Sequence, residues 1–156
     1  MSAGILLFRV AEGRLEVLLG HPGGPFFRSR DEGAWSILKG EVDPGEDLLA
    51  VARREFDEET GSPAPDRPPL ALGSVVQKGG KVVWAWALEG DLDPGSAVSN
   101  TFEMQWPPGS GRMAEFPEID RVAWFAPAHA RSCITPAQAA FIDRLEELLG
   151  AEQPEA

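Results

Sequence analysis

The sequence predicts an α/β fold built on a mixed sheet, and three observations carry that expectation. Residues 3–10 (AGILLFRV) and 15–20 (LEVLLG) are apolar almost throughout, as strands buried on both faces are. A long stretch beginning near residue 43 repeats its apolar positions at helical rather than alternating spacing. Further strand-like runs follow, and then one closing amphipathic stretch, an order that suits a sheet covered by helices.

In chain order, Ala11-Glu12-Gly13-Arg14 is a turn joining the first two strands. Residues 21–33 (HPGGPFFRSRDEG) are rich in Gly and Pro and read as a long loop, a class that often carries function. This loop holds Phe26, Phe27, Arg28 and Arg30, which either contact a base and phosphates or fold over the core. Residues 35–39 (WSILK) form a short strand. Asp43-Pro44-Gly45-Glu46 then reads as a helix start, with Asp43 as cap, Pro44 at the first helical position and Glu46 closing a capping box. Leu48, Leu49, Ala52 and Phe56 make the apolar face, and Thr60-Gly61 is the stop, Gly61 being free to take positive φ.

The proline-rich residues 62–70 connect this helix to a hairpin, ALGSVVQ and KVVWAWALEG, turning at Lys78-Gly79-Gly80-Lys81. Trp84 and Trp86 share one face of its second strand, for core packing or for holding a base. Residues 91–97 are loop, 99–106 a strand, 107–118 a second long loop and 119–125 a further strand. Residues 127–132 form a short helix. Thr135-Pro136 opens the last helix, with Phe141, Ile142, Leu145, Leu148 and Leu149 on its apolar side. No internal repeat is visible. Residues 1–150 read as one domain and 151–156 as a frayed tail.

The 156 residues suffice for a substantial core, and 43% hydrophobic with 25% charged residues is ordinary for a soluble globular chain. No apolar run reaches the length of a membrane span, and MSAGILLFRV lacks the basic start of a signal peptide. Cys133 stands alone, so no internal disulfide forms; buried filler in a reducing, cytoplasmic setting is the expectation. A net charge of −11 argues against general binding of nucleic acid or anionic membranes, because such affinity comes from Lys and Arg neutralising phosphates. Monomer and homodimer both stay open.

The chemistry is concentrated in residues 40–62. Glu55, Glu58 and Glu59 lie at i, i+3 and i+4, which gathers three carboxylates within one turn of a helix. Such like charges repel, yet they supply the oxygen ligands that hard cations such as Mg²⁺ or Mn²⁺ take. Gly40 precedes them in a loop whose backbone can come close to a metal or a phosphate.

Gly40, five residues, Glu46, seven residues, then Arg54-Glu55-Phe56-Asp57-Glu58-Glu59-Thr60-Gly61 resembles the Nudix box. Every defined position is met except the last, where Ser62 replaces an aliphatic packing residue. The resemblance implies an α/β/α sandwich and metal-dependent hydrolysis of a nucleoside diphosphate linked to another group, using Mg²⁺ or Mn²⁺. It assigns Glu55, Glu58 and Glu59 to the metal, with the Gly40 carbonyl as a further ligand. It makes Arg54 an orienting partner for a glutamate, Glu58 being its i+4 neighbour, and Glu46 a structural residue.

Trp35, Lys39 and Gly40 also match the stretch before the box in dinucleoside polyphosphate hydrolases, although Leu38 stands where proline is usual there. That likeness points to diadenosine tetraphosphate or a nucleoside triphosphate as lead substrate, with Trp35 in the binding region and Lys39 on a phosphate. ADP-ribose hydrolysis and a nucleotide-sensing module without turnover are the alternatives. For the proton acceptor, Glu55 is the candidate within the box. Outside it stand Glu103, Glu115 and Glu118, and Glu118, six residues before Trp124, resembles the glutamate of those hydrolases and either takes the proton or completes the metal site.

Overall fold

The first strand, β1 (Ser2–Ala11), is the axis of the sheet, and its composition explains why. Ala3, Ile5 and Leu7 point to one face and Leu6 and Phe8 to the other, all buried, so the strand needs cover on both sides. The computed structural model describes residues 1–152. β2 (Arg14–Pro22) returns antiparallel beside the second half of β1, through a turn in which Glu12 and Gly13 both take positive φ. β3 (Leu38–Glu41) pairs antiparallel with Ser2 to Ile5 on the same edge of β1, so two strands share that edge end to end.

After helix α1 (Leu48–Thr60), the hairpin of β4 (Leu70–Val76) and β5 (Val82–Glu89) brings β5 parallel to β1 on its other edge. β6 (Thr101–Gln105) and β7 (Met113–Pro117) make a separate two-stranded hairpin, and β8 (Ile119–Phe125) returns to pair with β2. The sheet order is β4-β5-β1-β2-β8, with β3 beside β1. Helix α1 covers one face through Val51, Ala52 and Phe56. The other is covered by α2 (Pro127–Cys133) and α3 (Ala139–Glu152), with Ala130, Phe141, Ile142 and Leu145 buried there. The α/β/α sandwich with a mixed sheet is therefore observed. Among the described residues no helix is long and apolar enough to cross a membrane.

Four expectations need correction. The helix begins at Leu48, capped by Asp47, whose carboxylate accepts the Ala50 N–H at 3.0 Å. Gly45 at φ 85° is incompatible with a helical turn. Asp43 and Glu46 instead close the preceding turn on each other, the Glu46 N–H donating to the Asp43 carbonyl and the Asp43 N–H to Glu46 Oε1. Residues 107–118 are not all loop, since β7 occupies Met113–Pro117. Trp35 and Ser36 form isolated bridges to Ile134 and Gly20 ahead of the strand proper. A 3₁₀ turn at Pro136–Gln138 precedes α3, so the last helix starts at Ala139 rather than at Thr135-Pro136; residues 153–156 lie outside the described part. The helix stop is as expected: Gly61 sits at φ 75° and its N–H donates to the Asp57 carbonyl at 2.7 Å.

The displaced cap has a measurable consequence. Asp47→Ala should cost about 1 kcal/mol in urea denaturation, the usual worth of an N-cap carboxylate. Asp43→Ala should cost clearly less, and the reverse ranking would return the helix start to Asp43.

Candidate active site

Helix α1 lays its acidic edge against β3, and the three carboxylates are buried to different depths. Glu58 is exposed, Glu55 half-buried and Glu59 only 8% exposed. With Lys39, Gly40, Glu41, Ser2, Lys81, Asn100 and Glu118 they line a cleft of about 380 Å³. Burial pushes the Glu59 carboxyl up to about 8, with the Glu55 charge adding to it. Burial and then the Glu58 charge raise Glu55, while Arg54 pulls it down. Lys39 is lowered by burial and next by Lys81. Lys39 and Glu59 each favour the other's charged form, but for both groups burial is the larger influence. Glu59 Oε2 is buried with no hydrogen-bond partner, a state that costs roughly 1–3 kcal/mol.

Gly40 is required by this packing. A Cβ there would lie 2.1 Å from Glu55 Cδ, so a side chain would displace that carboxylate. Arg54 sits among three glutamates, 2.7 Å from Glu46, 3.7 Å from Glu55 and 4.0 Å from Glu58. Its closest partner is Glu46 rather than its i+4 neighbour, and Glu46 thereby ties the turn before α1 to the acidic edge. The C-terminal end of α1 is anchored as well. The Asn100 N–H donates to the Glu58 carbonyl and the Val98 N–H to the Thr60 carbonyl, each at 2.9 Å, satisfying groups a helix end leaves free.

Of the residues named from sequence, the structure brings Lys39, Gly40, Glu55, Glu58, Glu59 and Glu118 into the cleft, with Arg54 on its rim. It does not bring Arg28, Arg30 or Trp35 there. Trp35 is 4% exposed, packed edge-on against His21 and Phe125 under α2 and α3. Arg28 and Arg30 are exposed on their loop, and Arg30 uses its backbone carbonyl on His21 Nε2. Glu103 and Glu115 face each other across the β6–β7 hairpin, on its exposed side. Ser2, Glu41, Lys81 and Asn100 escaped the sequence reading. Lys81 gave a faint signal, as one of few cations in an acidic chain; the other three gave none.

The family model for the NUDIX domain matches residues 1–145. The chain belongs to the NUDIX domain family. With every box glutamate kept, this Nudix protein is a pyrophosphohydrolase. Its fold is similar to that of the C. elegans Ap4A hydrolase in a binary complex, at 20% identity and a TM-score of 0.69, over 97% of this chain and 99% of that one. It is also similar to the NUDIX domain of Shewanella oneidensis NrtR complexed with ADP ribose, at 17% identity and a TM-score of 0.64, over 95% and 86% of the two chains. A mutT/nudix family protein from Listeria innocua aligns at 18% identity and a TM-score of 0.62, over 97% and 94%. No curated protein matches the sequence.

Nudix hydrolases generally use divalent cations, and the residues present fit one. The donors are carboxylate and carbonyl oxygens, suited to a hard ion. Glu59 Oε2 has no partner, and burial and neighbouring charge raise the carboxyls of Glu55 and Glu59, so a cation placed between them would favour their ionised forms and give the orphaned oxygen a partner. Among the described residues no three Asp, Glu, His or Cys side chains are already drawn into a closed ligand set, so the edge is open rather than a cage.

The Glu59 environment predicts a pH-dependent stability. A carboxyl raised from 4.5 to about 8 binds its proton more tightly when folded, so ionising it costs stability as pH rises between those values. Without metal, Glu59→Gln should melt several degrees above wild type at pH 8.5, and the gap should shrink towards pH 5. A gap independent of pH would rule out the buried charge as its cause.

Proposed function

We propose that the protein hydrolyses the pyrophosphate link of a nucleoside diphosphate joined to a further group, with diadenosine tetraphosphate or a nucleoside triphosphate as lead substrate and Mg²⁺ or Mn²⁺ as cofactor. One observation carries the reading: the cleft is bipolar. Glu55, Glu58, Glu59 and Glu118 occupy it together with Lys39 and Lys81, in a chain whose net charge is −11. A purely acidic cleft would repel a polyphosphate, whereas two lysines beside the glutamates offer it a charged foothold.

In this reading Glu55, Glu58, Glu59 and the Gly40 carbonyl hold the cation, which when bound offsets phosphate charge and lowers the pKa of water. Arg54, held by Glu46, orients Glu55 and Glu58. Lys39 and Lys81 bind phosphate oxygens, so that a water in the cleft can face the phosphorus. Glu118 accepts the proton as the water oxygen bonds to phosphorus and the bridging anhydride oxygen leaves with the second product. Lys81 is ion-paired with Glu41, which also lies 4.0 Å from the N-terminal ammonium, and its three N–H donors leave it free to reach a phosphate oxygen as well. The likeness to the C. elegans Ap4A hydrolase supports the lead substrate, and that to an ADP-ribose-bound NUDIX domain keeps ADP-ribose as the alternative.

A substrate panel tests this. With Mg²⁺, diadenosine tetraphosphate should yield ATP and AMP, resolved by chromatography, and EDTA should stop turnover. Brisk ADP-ribose hydrolysis with the dinucleotide untouched would select the alternative. Full turnover in excess EDTA would remove the metal from the account.

The proton acceptor is tested separately. A general base is worth about a hundredfold to ten-thousandfold in rate, so Glu118→Gln should lower kcat by at least the smaller figure at saturating metal. Glu115→Gln, on the exposed face of the hairpin, should have a smaller effect. Near-full kcat in Glu118→Gln beside a dead Glu55→Gln would place the base in the box.

A further inference from the structure

The backbone on either side of Glu118 is fixed from three directions, by residues that the chemistry does not itself require. Glu118 and Asn100 are the two feet of the β6–β7 hairpin, and the Glu118 N–H donates to the Asn100 carbonyl at 2.9 Å. One residue on, the Ile119 N–H donates to Ser99 Oγ at 3.1 Å. From the far side, the Gly23 N–H donates to the Glu118 carbonyl at 2.9 Å. The chain admits only glycine there without moving, because a Cβ on residue 23 would lie 1.7 Å from the Pro117 carbonyl oxygen and 2.8 Å from its carbon.

The register of the sheet shows what this contact achieves. β2 and β8 pair regularly up to His21 and Arg121, then shift so that Pro22 faces Ile119, leaving Asp120 as an extra residue. A bulge of this kind breaks the ladder and re-aims the side chains beside it. This one is pinned from inside. The Asp120 carboxylate lies 2.9 Å from Nδ1 of His21, which is fully buried, and His21 Nε2 lies 2.6 Å from the Arg30 carbonyl. The loop of residues 22–30 therefore buttresses the bulge.

We propose that Gly23 and Ser99, together with the bulge pinned by His21, are positioning residues that hold Glu118 over the cleft facing Glu55 and Glu59. The proposal rests on the reading of Glu118 as proton acceptor. None of the three lines the cleft. Gly23 and His21 reach it through the Glu118 backbone and the bulge, and Ser99 through the Ile119 N–H and through Asn100, to whose carbonyl its hydroxyl donates at 2.9 Å.

A double-mutant cycle on the full chain tests it, at saturating Mg²⁺ with diadenosine tetraphosphate or whichever panel substrate wild type cleaves fastest. Gly23→Ala should lower kcat by at least about tenfold while KM changes by less than about threefold, because a displaced base slows chemistry without loosening binding. Gly23→Ala combined with Glu118→Gln should be no slower than Glu118→Gln alone. Ser99→Ala should show a smaller loss of the same non-additive kind, and Ser99→Thr, which keeps the hydroxyl, should recover the rate. Unchanged kcat in Gly23→Ala and Ser99→Ala, or losses that multiply with that of Glu118→Gln, would overturn the positioning role. If Gly23→Ala fails to fold, the Ser99 pair decides by the same criteria. Near-full kcat in Glu118→Gln would instead sink the reading of Glu118, and the positioning role with it.

Discussion

The burial of the Glu59 carboxylate between α1 and β3 is the constraint on which the rest of the cleft depends. Exposed like charges on one helix turn cost only a few tenths of a kcal/mol per pair, whereas a buried oxygen without a partner costs about 1–3 kcal/mol. Burial is accordingly the largest influence on both Glu55 and Glu59. To sustain such a group, the surroundings must be fixed. The apolar underside of α1, with Val51, Ala52 and Phe56 essentially closed to solvent, clamps the helix to the sheet. Gly40 lets the backbone of β3 approach Glu55 without a clash. Arg54 and Glu46 then gather the more exposed carboxylates from the solvent side.

The cleft is a local box completed from distant parts of the chain. β1 contributes Ser2, the turn into β5 contributes Lys81, and the feet of the β6–β7 hairpin contribute Asn100 and Glu118. The parallel pairing of β1 with β5 makes this possible, since Ser2 lies opposite Val83 and so beside the turn that carries Lys81. Strand order thus sets which charges face the acidic helix edge.

Much of the fold was legible because its strands and helices obey simple periods. β1 and β2 read correctly from their continuous apolar runs, the core of α1 from Leu48, Ala52 and Phe56, and the β4–β5 hairpin from its glycine turn. The errors fall where local rules compete. Asp43 and Asp47 are both plausible caps, and only the positive φ of Gly45 excludes the first. The alternation in MAEFP was hidden behind the Pro and Gly of the preceding tip, and β7 becomes a strand only by pairing with β6. Trp35, Arg28 and Arg30 looked available because a Gly- and Pro-rich loop resembles a binding loop. His21 and Phe125 in fact close over Trp35, and the loop's contacts with the bulge are made by backbone atoms of Gly23 and Arg30.

By itself the sequence determined that three glutamates share one helix edge, that a glycine precedes them and that the pattern is the Nudix box. Those are consequences of spacing along a regular helix, where i, i+3 and i+4 neighbours meet whatever the rest of the chain does. The tertiary structure alone decided which of three outlying glutamates reaches that edge, that lysines stand beside it, and that the candidate arginines and tryptophan do not. Those outcomes depend on strand order, on a one-residue bulge at Asp120 and on hydrogen bonds between segments some hundred residues apart, such as His21 with Asp120. Pairing over that distance is set by how buried faces and backbone groups are satisfied together, and no local pattern of residue types encodes it.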